Sequence, residues 1–361
     1  MSAVAAPEAA DAAVLAPASR YHALRVRAVV EETHDAKSLL LEVPPALAEQ
    51  FRYRPGQFLT LRLPVQGKVL PRCYSMSSAP GLDTSLRVTI KRVHQGRGSN
   101  WVCDHIRAGD SIELLPPAGV FTPRGLEGDF LLFAGGSGIT PVLSILRTVL
   151  TQGNGRVSLV YANRDERSVI FRDELKALAA AHPVRLQVTH WLDSVQGVPS
   201  VAQLAALARP HTAAQTFICG PGPFMDAAVA ALQSIAMADA QIHVERFVSL
   251  PEEDAPAPVL TQPAAADTVD EAEVELHLDG QVHHLRCGGT ETLLDAALRA
   301  GIAAPFSCKA GLCASCMCQV KEGSVHLRHN EALDQKDLAK AWTLSCQAVP
   351  TSTRLRIHFP E

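Results

Sequence analysis
The chain lacks any run approaching the roughly 18 consecutive apolar residues of a membrane-spanning helix, so membrane insertion is not expected. It also lacks an excess of positive charge. The 33 Lys and Arg residues stand against 37 Asp and Glu, a formal net charge of −4, which leaves no broad basic surface for a phosphate backbone, and nucleic-acid binding is set aside. The Ala/Pro-rich start, Met1 to Ser19, has neither the basic segment nor the apolar stretch of a secretory signal and carries Glu8 and Asp11. Residues 1–20 are expected to form a disordered tail of a cytoplasmic protein. No internal repeat is found, and neither paired carboxylates for acid–base work nor a Ser/His/Asp set is apparent.

With 361 residues and 47% hydrophobic content, the chain is long enough for two or three domains, each burying its own core. Between His22 and about Pro123, short runs such as Leu24-Arg-Val-Arg-Ala-Val and Leu86-Arg-Val-Thr-Ile-Lys-Arg-Val alternate apolar and polar residues between Pro and Gly breaks. That period of two predicts an all-β barrel over residues 21–125. From Asp129 the texture changes. Apolar Phe130-Leu-Leu-Phe-Ala runs into Gly135-Gly-Ser-Gly, a helical stretch reaches Leu150, and Val157-Ser-Leu-Val-Tyr opens another strand, so residues 126–248 are expected to be an α/β domain on a parallel sheet. Residues 249–271 are rich in Pro, Ala, Asp and Glu and predict a semi-extended linker. Residues 272–361 read as a small β-rich domain with one helix over Thr292 to Ala300.

Nine cysteines are present, and four of them, Cys308, Cys313, Cys316 and Cys346, read C-x4-C-x2-C with the last far downstream. This is the ligand spacing of a plant-type [2Fe–2S] cluster, whose irons need four converging thiolates, three of them from one tight loop. Gly311 gives that loop its backbone freedom. Structural zinc is the alternative, but zinc sites favour paired C-x2-C knuckles. Cys73, Cys103, Cys219, Cys287 and Cys318 are scattered singly, which fits a reducing compartment better than a disulfide framework. Cys318, inside the strand pattern Met317 to Val320, is expected to be a buried structural thiol.

Two further motifs suit flat heterocycles and phosphates. Arg72-Cys-Tyr74-Ser75 follows a strand pair, and Gly96-Arg-Gly-Ser99 follows it; an Arg for a phosphate, a ring to stack and a hydroxyl for a ring nitrogen are what a flavin site needs. Either motif taken alone reads more readily as an ordinary barrel loop with a surface Arg and a half-buried Tyr, and it is the neighbouring redox motifs that reverse this. Gly135, Gly136 and Gly138 lie between a strand and a helix, where N–H groups and the helix dipole receive a pyrophosphate, with Thr140 one residue before Pro141. Cys219-Gly220-Pro221 makes a second turn at a strand end, fit to shape a nicotinamide pocket. After the next strand stand Arg164 and Asp165, one suited to a 2′-phosphate and the other to a ribose 2′-hydroxyl, so these residues leave NADH and NADPH both open.

Taken together, Arg72-x-Tyr-Ser with Gly96-x-x-Ser, Gly135-Gly-Ser-Gly-Ile-Thr-Pro141 and Cys219-Gly-Pro-Gly-Pro-Phe-Met225 resemble the ferredoxin–NADP reductase family. The cysteine domain makes the chain similar to the reductase components of multicomponent oxygenases. The resemblance implies a Greek-key flavin barrel, a nucleotide domain and a β-grasp ferredoxin domain. It further implies that Arg72 binds the flavin phosphate, Tyr74 stacks on the isoalloxazine, Ser75 approaches its N5, and Gly96 and Ser99 serve the pyrophosphate of FAD. Tyr74, Ser75 and Cys219 would then surround the reacting centre, and Phe247 would cover the flavin or fill the core. The phrases Tyr161-Ala-Asn-Arg-Asp-Glu-Arg, His190-Trp-Leu-Asp-Ser-Val-Gln-Gly and Ala304-Pro-Phe-Ser-Cys308 look most like the reductases that serve bacterial 3-ketosteroid 9α-hydroxylation. That likeness implies NADH as donor and a Rieske-type terminal oxygenase as acceptor. The next nearest look, the reductases of phenylacetyl-CoA epoxidation, implies NADPH and a di-iron partner. Since a nicotinamide gives two electrons and a cluster takes one, a flavin between them makes the path nicotinamide, FAD, cluster, partner, in a chain expected to act as a monomer. A redox sensor without turnover is the reading from another class.

Overall fold
Alternation of buried and exposed side chains gives β1 (His22–Thr33) and β2 (Ala36–Glu42), which pair through a tight hairpin. With β3 (Phe58–Val65), β4 (Lys68–Ser75), β5 (Leu86–Lys91) and β6 (Ser111–Leu114) they form an antiparallel sheet in the order β4-β3-β6-β1-β2-β5. A bridge between Met76 and Val88 joins the two outer strands and curls the sheet into a barrel around Leu24, Leu39, Leu59, Leu61 and Ile90. Besides a short 3-10 turn at Pro45–Leu47, a helix departs from the all-β expectation: α1 (Arg97–His105) interrupts the barrel and buries Val102 and Cys103 against it. Its nine residues carry too short an apolar stripe to stand out beside the strand pattern.

This computed structural model describes residues 21–247 and 269–360, apart from 307–308, 310, 312–313, 331 and 334. The expected tail and most of the expected linker therefore lie outside the described residues.

The second sheet is built from β7 (Phe130–Gly135), α2 (Ile139–Gln152), β8 (Val157–Asn163), α3 (Arg172–Ala181), β9 (Leu186–Leu192), α4 (Asp193–Gln196), α5 (Val201–Ala208), β10 (Gln215–Cys219), α6 (Gly222–Ser234) and β11 (Ile242–Glu245). Its strands are parallel in the order β11-β10-β7-β8-β9. Every residue of β7 and β8 is buried, as expected where helices cover both faces. The chain runs outward from β7 to β9 and then crosses to β10 on the other side of β7. This switch point opens a crevice at the carboxyl ends of β7 and β10.

The third unit holds β12 (Glu271–Leu278), β13 (Gln281–Gly288), α7 (Leu293–Arg299), β14 (Met317–Glu322), β15 (Val325–Leu327), α8 (Gln335–Ala339), β16 (Trp342–Leu344), β17 (Ala348–Pro350) and β18 (Arg354–His358). Its mixed sheet runs β13-β12-β18-β14-β16, with β12 and β18 parallel, and β15 pairs with β17 beside it. α7, capped by the Thr292 hydroxyl accepting from the Asp295 N–H, buries Leu293, Leu294, Ala296 and Ala297 against the sheet, giving the β-grasp form.

Barrel and parallel sheet share a core, because Ala36 and Phe121 pack with Ile145, Leu146 and Phe217. Charged bonds tighten the seam. Arg147 donates to both oxygens of Asp83 at 2.6 and 2.8 Å and lies 3.3 Å from Glu174, which also takes two bonds from Arg87 at 2.8 and 3.2 Å. The Arg147 guanidinium holds the Asp83 carboxyl below its ordinary value despite the cost of burial. Arg147→Ala is expected to cost about 1.5–3 kcal/mol, since it leaves two half-buried carboxylates underpaired. Urea unfolding checks this, and a loss below about 0.5 kcal/mol would mean that the seam depends on its apolar part alone.

Candidate redox site
Arg72, Tyr74 and Ser75 lie along the last strand of the barrel's edge pair, β4, and α1 begins beside them. A methyl group on Gly98 would stand 3.0 Å from Arg72 Cγ, so the first turn of α1 and the arginine are in contact. The N-terminus of this helix has no side-chain cap, and Arg97 Nε there is buried with no hydrogen-bond partner. Two guanidinium groups, one with its Nε unpartnered, and the uncapped helix N–H groups together suit a phosphate or pyrophosphate. Ser99 supports the turn itself, because its hydroxyl accepts from the Val93 N–H at 3.1 Å and holds the bend that Gly96 closes. Tyr74 packs against the barrel core, and burial pushes its phenol pKa upward, so the ring is neutral.

On the other side of the crevice, two turns of the parallel sheet meet backbone to backbone. A methyl group on Gly138 would lie 2.1 Å from the Cys219 carbonyl oxygen, and one on Gly135 would lie 2.7 Å from Pro221 Cδ; Gly220 is equally close to Gly135. Only glycines permit this approach, which leaves the uncapped start of α2 at the floor of the cleft. Gly136 is held by the Tyr161 hydroxyl donating to its carbonyl at 3.1 Å. Thr140 is buried, and its hydroxyl donates to the Ser137 carbonyl at 3.1 Å. The Cys219 thiol lies in the core, where burial pushes its pKa well up and keeps it protonated.

Ser75 links the two halves. Its hydroxyl donates to Glu245 Oε2 at 3.3 Å, across 170 positions of sequence. Desolvation pushes the Glu245 carboxyl from 4.5 up to about 8, with Ser75 pulling the other way. Phe247, two residues further, is exposed at the same end of the sheet. Lys91, at the end of β5, also crosses the seam, with its ammonium 3.8 Å from a methyl placed on Gly136. Glu245, Arg97 and Lys91 escaped the sequence reading. Arg97 lay inside the Gly96-x-x-Ser99 motif and Glu245 two residues before Phe247, but nothing local separates such residues from ordinary surface charges.

Arg164 and Asp165, the two residues designated for the ribose, are both engaged. Asp165 Oδ1 accepts from the Ser168 N–H at 3.0 Å and its hydroxyl at 2.9 Å, and Arg164 donates to Asp35 Oδ2 at 3.1 Å.

In the third unit Met317 of β14 stands opposite Leu344 of β16, and the Ser345 N–H donates to the Cys316 carbonyl at 3.0 Å. That pairing brings Cys316 and Cys346, both buried, to the same end of the sheet. Cys308 and Cys313 lie outside the described residues. Gly311 between them has φ +75°, and a methyl there would meet the His329 carbonyl oxygen at 2.5 Å, so the loop requires glycine at this position. The Gln347 amide donates to the Lys309 carbonyl at 2.7 Å and ties the loop to the strand end that carries Cys346. Cys318 is fully buried in the hydrophobic core. Converging buried thiols beside a tight glycine loop fit an iron–sulfur cluster.

Three outcomes are expected from this geometry. Cys346→Ser loses the visible bands and iron of a cluster but keeps FAD and dye reduction by the flavin, whereas Cys318→Ser keeps both; the opposite pattern would replace Cys346 by Cys318 in the ligand set. Tyr74→Ala weakens flavin retention by about 1–3 kcal/mol, by analogy with a lost aromatic stack, and unchanged retention in a dialysis assay would remove Tyr74 from the site. Between pH 4.5 and about 8 the folded protein holds a proton on Glu245 that the unfolded chain has released, so stability falls as pH rises through that window. Glu245→Gln is therefore expected to gain in Tm over the parent as pH rises from 5 to 8, and a pH-independent gap would show that the Glu245 carboxyl is not perturbed.

Comparison with known proteins agrees with the geometry. Residues 23–122 match the family model described as oxidoreductase FAD-binding domain, 132–230 the oxidoreductase NAD-binding domain, and 276–351 the 2Fe-2S iron-sulfur cluster binding domain. The chain is 51% identical to the ferredoxin reductase component of 3-ketosteroid-9-alpha-monooxygenase of Rhodococcus rhodochrous, over 94% of this chain and 97% of that one. The Mycobacterium tuberculosis protein of the same name is 46% identical over 94% of this chain and 96% of its own. A component of the 1,2-phenylacetyl-CoA epoxidase of Escherichia coli is 36% identical over 94% of this chain and 98% of its own. In architecture the chain is similar to phthalate dioxygenase reductase, with a TM-score of 0.59 at 23% identity, covering 94% of this chain and 98% of that one. An antiparallel flavin barrel, a parallel nucleotide sheet and an iron–sulfur domain follow one another in a single chain, which therefore belongs to the family of FAD-, NAD- and [2Fe–2S]-dependent ferredoxin reductase components of multicomponent oxygenases.

Proposed function
We propose that this protein is the NADH-dependent reductase of a Rieske-type terminal oxygenase that hydroxylates 3-ketosteroids at the 9α position, acting as a monomer in the cytoplasm. What supports the reading is that the likeness to the steroid monooxygenase reductases runs through all three units at 51% identity, against 36% for the phenylacetyl-CoA epoxidase component over the same share of the chain. In this reading residues 21–125 bind FAD, 126–248 bind the dinucleotide, 272–361 hold the cluster, and 249–271 link them. Bound FAD supplies the exchange between a two-electron hydride donor and a one-electron cluster.

The chain's own residues do the rest. Arg72 and Arg97, with the first turn of α1, anchor the flavin phosphates, Gly96 and Ser99 shape that turn, and Tyr74 offers its buried neutral ring as a wall. Gly135, Gly136, Gly138 and Thr140 hold the start of α2 open to the dinucleotide pyrophosphate, with the Lys91 ammonium alongside. Cys219, Gly220 and Pro221 form the opposing wall of the nicotinamide pocket, and Phe247 shields its outer edge. Ser75 and Glu245 keep a proton in a hydrogen bond at the meeting point of the two domains. Cys308, Cys313, Cys316 and Cys346 ligate the iron.

Two measurements test this. Under anaerobic conditions NADH is expected to bleach flavin and iron–sulfur bands together, while coloured bands indifferent to NADH would leave a redox sensor. Mixed with the oxygenase component of a 3-ketosteroid-9-alpha-monooxygenase, the protein is expected to support NADH-dependent steroid hydroxylation. Coupling only to the oxygenase of a phenylacetyl-CoA epoxidase would reassign the partner to a di-iron enzyme.

A further inference from the structure
The loop after β8, which carries the residues suited to tell NADH from NADPH, touches the barrel. Arg164, the residue there suited to a 2′-phosphate, is directed at Asp35 on the tip of the β1–β2 hairpin, so the flavin barrel reaches into the nucleotide domain. Asp35 is only 15% exposed and is fixed on its own side of the seam. Its Oδ1 accepts from the Thr33 hydroxyl at 2.8 Å, and its carbonyl accepts from the Arg92 N–H at 2.7 Å. Its other carboxylate oxygen faces Arg164 at 3.1 Å, Lys91 at 3.8 Å and His34 at 3.8 Å. Beside this group lies a cleft of about 820 Å³ between the hairpin and the β8 loop. Six carboxylates line it, Glu31, Glu32, Asp165, Glu166, Asp173 and Glu174, against two arginines. One of these, Arg172, already lies 3.3 Å from Asp173 and 3.9 Å from Glu166.

We propose that Asp35 is the residue that sets dinucleotide specificity: it neutralises Arg164 and draws it out of reach of a 2′-phosphate, so that NADH is taken and NADPH refused. A 2′-phosphate brings two negative charges, and here it meets a guanidinium already paired and a cleft in which carboxylates outnumber arginines six to two. A free 2′-hydroxyl carries no such penalty. The effect separates from general nucleotide affinity because Lys91, the other cation held by Asp35, stands beside Gly136, where the pyrophosphate common to both nucleotides would lie. Releasing Lys91 changes both affinities together, and only Arg164 acts on their ratio. Asp35 is thus a positioning residue, and the inference rests on the NADH reading above.

The test is binding of NAD⁺ and NADP⁺ to the FAD-loaded protein, followed by calorimetry or flavin difference spectra without turnover. In Asp35→Asn the affinity ratio of NADP⁺ to NAD⁺ is expected to rise about two- to fivefold, as for an opposite charge removed from a partly solvated pair. Asp35→Glu keeps the parent ratio, and adding Arg164→Ala to Asp35→Asn abolishes the gain. Asp35→Ser serves if the asparagine variant does not accumulate. An unchanged ratio in Asp35→Asn and Asp35→Ser, or a gain that survives loss of Arg164, overturns the proposal. A parent protein that holds NADP⁺ more tightly than NAD⁺ instead overturns the NADH reading by itself.

Discussion
The site depends on one backbone contact, the approach of the Gly135–Gly138 turn to the Cys219–Pro221 turn at the carboxyl ends of β7 and β10. The gap is so small that a single methyl group at Gly138 would overlap the Cys219 carbonyl. Because the chain leaves β7 and β10 towards opposite sides of the sheet, a crevice opens above this contact, and its bare glycine backbone suits the close approach of a dinucleotide. The start of α2, Cys219 and Glu245 at the end of the neighbouring strand all take their positions from this contact.

The second constraint is the shared core between barrel and nucleotide sheet. A hinge there would move Ser75 away from Glu245 and Lys91 away from Gly136. Instead Phe121 stacks edge-on against Phe217 at 5.2 Å, Ser144 donates to the Ser78 carbonyl at 2.6 Å, and Arg147 and Arg87 bridge to Asp83 and Glu174. Two units with separate folds thus share one cleft, and the barrel residues Asp35 and Lys91 reach the loops of the parallel sheet.

The iron–sulfur unit follows a different logic, in which local sequence carries most of the chemistry. Its loop needs a left-handed glycine at Gly311, and the last cysteine of the motif needs only a strand pairing, β14 with β16, to bring Cys346 to the end of the sheet that carries Cys316. Cys316, Cys318 and Cys346 are all buried; what sets Cys318 apart is its place inside β14, opposite Thr343, whereas Cys316 precedes that strand.

By itself the sequence determined the order of the units and the chemistry of each. Period-two strands, the strand–glycine–helix unit and the C-x4-C-x2-C spacing are local patterns, and local patterns are what a chain shows before it folds. The helix α1 was not legible because its nine residues bury one short stripe inside a strand-rich region. Tertiary structure alone decided which charges face one another. Ser75 and Glu245 are 170 positions apart, and Arg164 and Asp35 are 129 apart. Asp165, well placed in sequence for a ribose, spends its carboxylate on capping its own turn. A charge has no periodicity, and its role depends on what the fold packs against it, so the residues that tune the site became visible only when barrel and nucleotide sheet were brought together.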